Sequence, residues 1–133
     1  MAAGCCCTVI LVATFSAYVL GGLWYSPLLF FNAWRKSSGN PSVGDDAAHS
    51  PWTFAFAFLM NFMSVVALDH ILPKDASMQE AVITSLLIGV FFVFSAFGTT
   101  YTFSDKKMLL LLIDSLYHIA KLVLFAVILV GLK

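Results

Sequence analysis

Four apolar stretches, at about residues 2–24, 52–72, 81–101 and 108–132, approach or exceed the roughly 20 residues that a helix needs to cross about 30 Å of hydrocarbon. No water reaches the backbone inside a bilayer, so a spanning segment must pair its N–H and C=O groups within a helix or a closed barrel. These stretches are continuously apolar and lack the alternation of barrel strands, which predicts helices. Composition agrees. The chain is 61% hydrophobic and 11% charged, against roughly half apolar and one quarter charged for a soluble domain. The expected fold is all-α: one domain over residues 1–133, a polytopic membrane protein with four transmembrane helices in an up-and-down bundle.

Charge and cysteine content exclude several classes. Seven basic and seven acidic residues cancel, so there is no broad basic surface for a nucleic-acid backbone and no acidic tail for a basic partner. The three cysteines are consecutive, Cys5, Cys6 and Cys7, and neighbours on a helix point about 100° apart, so they cannot converge on one metal. They read as small apolar side chains, with S-acylation near a membrane end as the alternative. Residues 1–7 contain no lysine or arginine. A secretory signal opens with a basic region, so the first stretch is expected to be a permanent span.

The segments between spans carry stop and start signals. Ser50-Pro51 offers an N-cap followed by proline at the first helical position. Ser77-Met78-Gln79-Glu80 has the form of a capping box for the third helix, and Asp105 after Ser104 is a candidate cap for the fourth. Residues 36–50, KSSGNPSVGDDAAHS, read as a solvated loop. The other two connections are short, which predicts that helices 2, 3 and 4 are antiparallel neighbours. Arg35, Lys36, Lys106 and Lys107 fall on the side of loops 1 and 3, and Lys74 and Lys133 on the other, so loops 1 and 3 are expected to face the cytoplasm or its organelle equivalent.

The run GGLWYSPLLFFNAW, residues 21–34, interrupts the apolar pattern. Trp24, Tyr25 and Trp34 are types that favour the headgroup level. Pro27 disfavours continuation of the helix, and Ser26 precedes it at the break. The following PLLFFNAWRK reads either as a short amphipathic segment along the interface, with Arg35 and Lys36 reaching phosphates, or as a kinked continuation of helix 1. Small residues four apart, Ala17-xxx-Gly21 and Ser85-xxx-Gly89, suit close helix contact within the bundle or with a partner.

The fourth stretch, MLLLLIDSLYHIAKLVLFAVILVGL, contains Asp114, His118 and Lys121. At about 100° per residue, positions 118 and 121 lie roughly 40° and 20° to either side of position 114, so the three share one stripe. Lys121 is near mid-span, too deep to snorkel. Asp and Lys at mid-helix cost about 2.5–3.5 kcal/mol each, while Leu, Ile, Val and Phe each return about 0.3–0.6. The segment has sixteen of these, so it inserts, with the stripe turned from lipid. Asn61, Thr84, Ser95, Ser16 and Tyr18 are the available polar companions. The stripe reads as a proton relay or small-solute path through Asp114, His118 and Lys121, or as a polar knot fixing helix register. His49 and His70 lack neighbours at metal-ligand spacing, so no metal site is expected. No nucleophile elbow, phosphate loop or dinucleotide turn is present, so neither an enzyme nor a bound cofactor is expected.

GGLWYSPLLFFNAW resembles the G-x-x-W-Y-S-P-x-x-F-x-x-x-W signature of domain-of-unknown-function family 1761, small four-helix integral membrane proteins. IDSLYHIAKLVLFAVIL is similar to that family's closing helix. The chain departs at Phe31, where the family commonly has glycine, and at Asp114, where asparagine is more usual. The resemblance implies the four-helix membrane fold and no particular activity.

Two functional expectations follow. The first is a non-catalytic structural or accessory subunit of a larger membrane complex, with the lipid bilayer and other membrane subunits as partners, placed in an organelle inner membrane, mitochondrial or plastid, as part of an energy-transducing assembly. The second is a proton-coupled or small-solute transporter or channel acting as a homo-oligomer.

Overall fold

The computed structural model describes residues 3–39 and 49–133. It is built of helices: α1 (Ala3–Trp24), α2 (Phe31–Ser38), α3 (Pro51–Ile71), α4 (Met78–Ile88), α5 (Ser95–Phe103) and α6 (Met108–Gly131). A π-helical segment, Gly89–Phe94, joins α4 to α5, making one continuous span from Met78 to Phe103. With α1, α3 and α6 this gives four helices long and apolar enough to cross a membrane. The protein is an all-α polytopic membrane protein.

Local chemistry sets the helix ends. Ser50 accepts a hydrogen bond from the Trp52 amide, with Pro51 at the first helical position. Ser77 and Glu80 form the reciprocal capping box that opens α4. α1 stops at Trp24, and a tight turn follows in which the Phe30 amide donates to the Trp24 carbonyl at 3.1 Å. α2 is therefore a separate helix rather than a kinked continuation of α1. Gly39 closes it at φ 72°, the left-handed conformation that glycine adopts without strain. Of the solvated loop expected at residues 36–50, Lys36, Ser37 and Ser38 instead form the last turn of α2, with Ser37 buried, and 40–48 lie outside the described residues. Of the cysteine run only the Cys7 side chain is described, and it is exposed.

Two expectations need correction. Asp105 does not cap α6: it sits at φ 50°, and the residue before Met108 is Lys107, which makes no side-chain cap. The short connection from α3 to α4 does not make them packed neighbours either. Both rest on α6, which also contacts α1, α2 and α5. Half of α6 is buried, against 17–22% of the other spans. A short turn enforces opposite direction but leaves the lateral choice to side-chain fit, and α6 supplies the better partner.

The apolar core lies toward the end of the bundle that holds the α3–α4 turn. Val9, Ala13 and Ala17 of α1 meet Val65 and Leu68 of α3, Ala81 of α4, and Leu122, Phe125, Ala126 and Leu129 of α6. Alanines on α1 let its backbone approach the larger α6 side chains. Both small-residue pairs are used inside the chain. A Cβ on Gly21 would come within 3.0 Å of the Tyr117 hydroxyl, and one on Gly89 within 2.9 Å of Ile119 Cγ1 and 3.3 Å of its Cα.

Candidate functional site

Asp114 lies about 9 Å along α6 from its first residue, at 1.5 Å per residue, on the side of the bundle shared by the α1–α2 turn and the end of α5. It is 8% exposed. The Tyr25 hydroxyl donates to Oδ1 and the Tyr101 hydroxyl to Oδ2, each at 2.7 Å. Tyr25 reaches it because α1 ends one residue earlier, and Tyr101 because the span through α5 returns along α6. Two neutral donors thus hold the carboxyl in place, and no ion pair to Asp114 forms among the described residues.

Two helical turns further on, Lys121 is 7% exposed and Asn61 8%. The lysine Nζ donates to Asn61 Oδ1 at 2.8 Å and lies 5.6 Å from the centre of the Tyr117 ring and 6.0 Å from that of Phe125. An ammonium so placed is held by one amide oxygen and the faces of two rings. His118 stacks on Phe97 at 5.1 Å and meets the edge of Tyr117 at 5.0 Å. Asp114, His118 and Lys121 therefore share a side of α6 without bonding to one another. Among the remaining polar companions, Ser16 turns back to the Ala13 carbonyl, and Tyr18 donates to the Phe54 carbonyl of α3 at 2.6 Å.

The aromatic run after α1 turns toward α6. The Trp24 indole donates to the Ile113 carbonyl at 3.1 Å, so its polar tip, like that of Tyr25, meets protein rather than headgroups. Trp34 lies edge-on to Tyr25 at 6.0 Å and half-buried. Ser26 donates to the Leu23 carbonyl, and Pro27 is exposed in the turn. Arg35 and Lys36 occupy the last turn of α2, where their charge complements the helix dipole. The Lys36 carbonyl accepts from Lys107 Nζ at 3.3 Å, joining α2 to the start of α6.

A cavity of about 730 Å³ opens between α1, α2, α3 and α6. Asp114 lies in its wall, with Tyr18, Tyr25, Trp34, Phe54 and Tyr117 around it, and Asn61 is part of the lining. That volume falls within the range of about 300–1,000 Å³ that suits small-molecule sites. Tyr101 and Tyr117 have site contacts that the sequence reading did not assign. The spacing of Tyr117 from Asp114, three residues on the same helix, was the available signal for one of them. Among the described residues no group of three or more His, Cys, Asp or Glu side chains could hold a metal ion.

Four long apolar helices, a buried carboxyl and an aromatic-lined cavity define a small polytopic helical membrane protein. The chain belongs to the family described as protein of unknown function (DUF1761), whose pattern matches residues 8–130. No curated protein and no solved structure matches it at a significant level.

Proposed function

We propose that this protein is a non-enzymatic carrier or channel for a small solute, assembled as a homo-oligomer, with the cavity beside Asp114 as its solute site. The carrying observation is that this cavity meets a buried acidic side chain on the most enclosed helix of the bundle. An ionisable group in a membrane interior is expensive to keep and marks a solute path by default. The accessory-subunit reading draws on the small-residue faces, but Gly21 and Gly89 already receive Tyr117 and Ile119 within the chain.

Gly22 gives the test. It lines the cavity, and a Cβ added there meets no atom within 4 Å, so a larger side chain starts from open space on the cavity wall. Purified protein in proteoliposomes should give saturable flux of a permeant solute from a mixed panel, reduced at least tenfold by Gly22→Phe. Flux indifferent to that substitution would count against the reading. So would a chain inert alone that recovers from membranes only within a larger assembly, which would favour the subunit role.

A further inference from the structure

Asp114 brings an acidic side chain to a wall otherwise lined by aromatic rings, the His49 imidazole, the Asn61 amide and small residues. Its two oxygens accept hydrogen bonds from two phenols, which orient the carboxyl group without bringing a positive charge to it. On the same helix, Lys121 Nζ donates to Asn61 and lies over the Tyr117 and Phe125 rings, behind the cavity wall that Asn61 and Tyr117 help form, and makes no contact with Asp114. His118 lies between Phe97 and Tyr117. A buried carboxylate without a counter-charge is costly, and a ligand that supplies one recovers that cost on binding.

The rest of the wall selects the body of the ligand. Tyr18, Tyr25, Trp34, Phe54 and Tyr117 line the cavity with it, and aromatic faces attract cations through their quadrupoles, most strongly where water is excluded. Each oxygen of Asp114 accepts one phenolic hydrogen and keeps a further lone pair for an ammonium N–H. An anion would meet like charge, and a neutral solute would leave the carboxylate uncompensated.

We infer that the cavity binds lipophilic organic monocations, protonated amines or quaternary onium ions with an apolar body, pairing the charge with Asp114 and the body with the aromatic wall. This rests on the solute-site reading of the cavity and adds the charge class of the solute.

Detergent-solubilised full-length protein is titrated with tetraphenylphosphonium, with its isosteric anion tetraphenylborate and with neutral triphenylphosphine oxide. Binding is followed by equilibrium dialysis and by tryptophan fluorescence, to which Trp34 contributes from the cavity wall. The expected result is saturable binding of the phosphonium alone, weakened at least tenfold by Gly22→Phe and by Asp114→Asn and kept within a few-fold by Asp114→Glu. Saturable binding of the borate or the oxide with equal or higher affinity, lost in Gly22→Phe, would overturn the cation inference and leave the solute site standing. Absence of saturable binding by all three probes would sink both. The wild-type and Gly22→Phe comparison decides even where an Asp114 variant does not fold.

Discussion

The Tyr25 hydroxyl closes on Asp114 Oδ1 at 2.7 Å across 89 residues of sequence, fastening the turn after α1 to the central helix. Hydrogen bonds to charged groups contribute about 1.5–3 kcal/mol in water-soluble proteins, whereas interhelical ones in membranes average about 0.6 and reach about 1.7. Tyr25→Phe is expected to cost about 1–2 kcal/mol, because the acceptor is shielded and keeps only Tyr101 afterward. A double-mutant cycle with Asp114→Leu, which removes the acceptor, read by reversible unfolding in mixed micelles, should return a coupling of about 1 kcal/mol. A coupling near zero would mean that the bond adds nothing.

Lys121 and Asn61 form a second fastening, between α6 and α3. Asn61→Leu strands an ammonium inside the bundle and is expected to destabilise by about 2–3 kcal/mol, the cost of an unpaired buried charged group. Lys121→Met in the same chain removes the charge and should restore most of that loss. The same unfolding assay checks it: equal damage in the single and double variants would rule out the charge as the cause.

Gly89→Ala is expected to destabilise by about 1–3 kcal/mol, the usual range for overpacking. The added methyl lies 2.9 Å from Ile119 Cγ1 and 3.3 Å from backbone, so a side-chain shift alone does not relieve it. Gly22→Ala has open space and should leave the melting temperature within about 2 °C, a change below 1 kcal/mol for a chain this size. Parallel thermal melts of the two variants make the comparison.

The π-helical segment Gly89–Phe94 sets the rotation of α5 relative to α4. Such a segment holds one residue more than the α-helix it interrupts. Deleting Phe92, which is 72% exposed, restores α-helical register and turns Tyr101 about 100° around the helix relative to α4. Tyr101→Phe, which in the wild type should cost about 1–2 kcal/mol through Asp114, is expected to have no effect in the deletion background. An undiminished effect there would show that Tyr101 does not depend on the segment.

The four spans were legible because a bilayer leaves the backbone no alternative to helix, and the capping residues around Ser50, Ser77 and Glu80 act over three or four positions. Asp114, Lys121 and Asn61 could be singled out because an ionisable or amide group at that depth has to turn inward. Their partners were harder. A tyrosine at the end of a span carries the mark of an interfacial belt residue, and nothing local distinguishes Tyr101, whose hydroxyl meets Asp114, from one that faces headgroups. Trp24 and Tyr25 carried the same ambiguity. The weak packing between α3 and α4 depends on which faces fit α6, a comparison between helices that spacing along one chain does not contain. Asp105 has cap chemistry, but α6 begins later than the sequence suggests, so the capping position falls to Lys107, two residues on.

The arrangement around α6 orders biogenesis. The earlier spans leave the ribosome first, and α3 and α4 have little surface to offer each other before the final span arrives. Their common partner follows both in the chain, so α1 and α3 can pair through their own contact beforehand, whereas the span through α4 and α5 meets its main partner only when α6 enters the membrane.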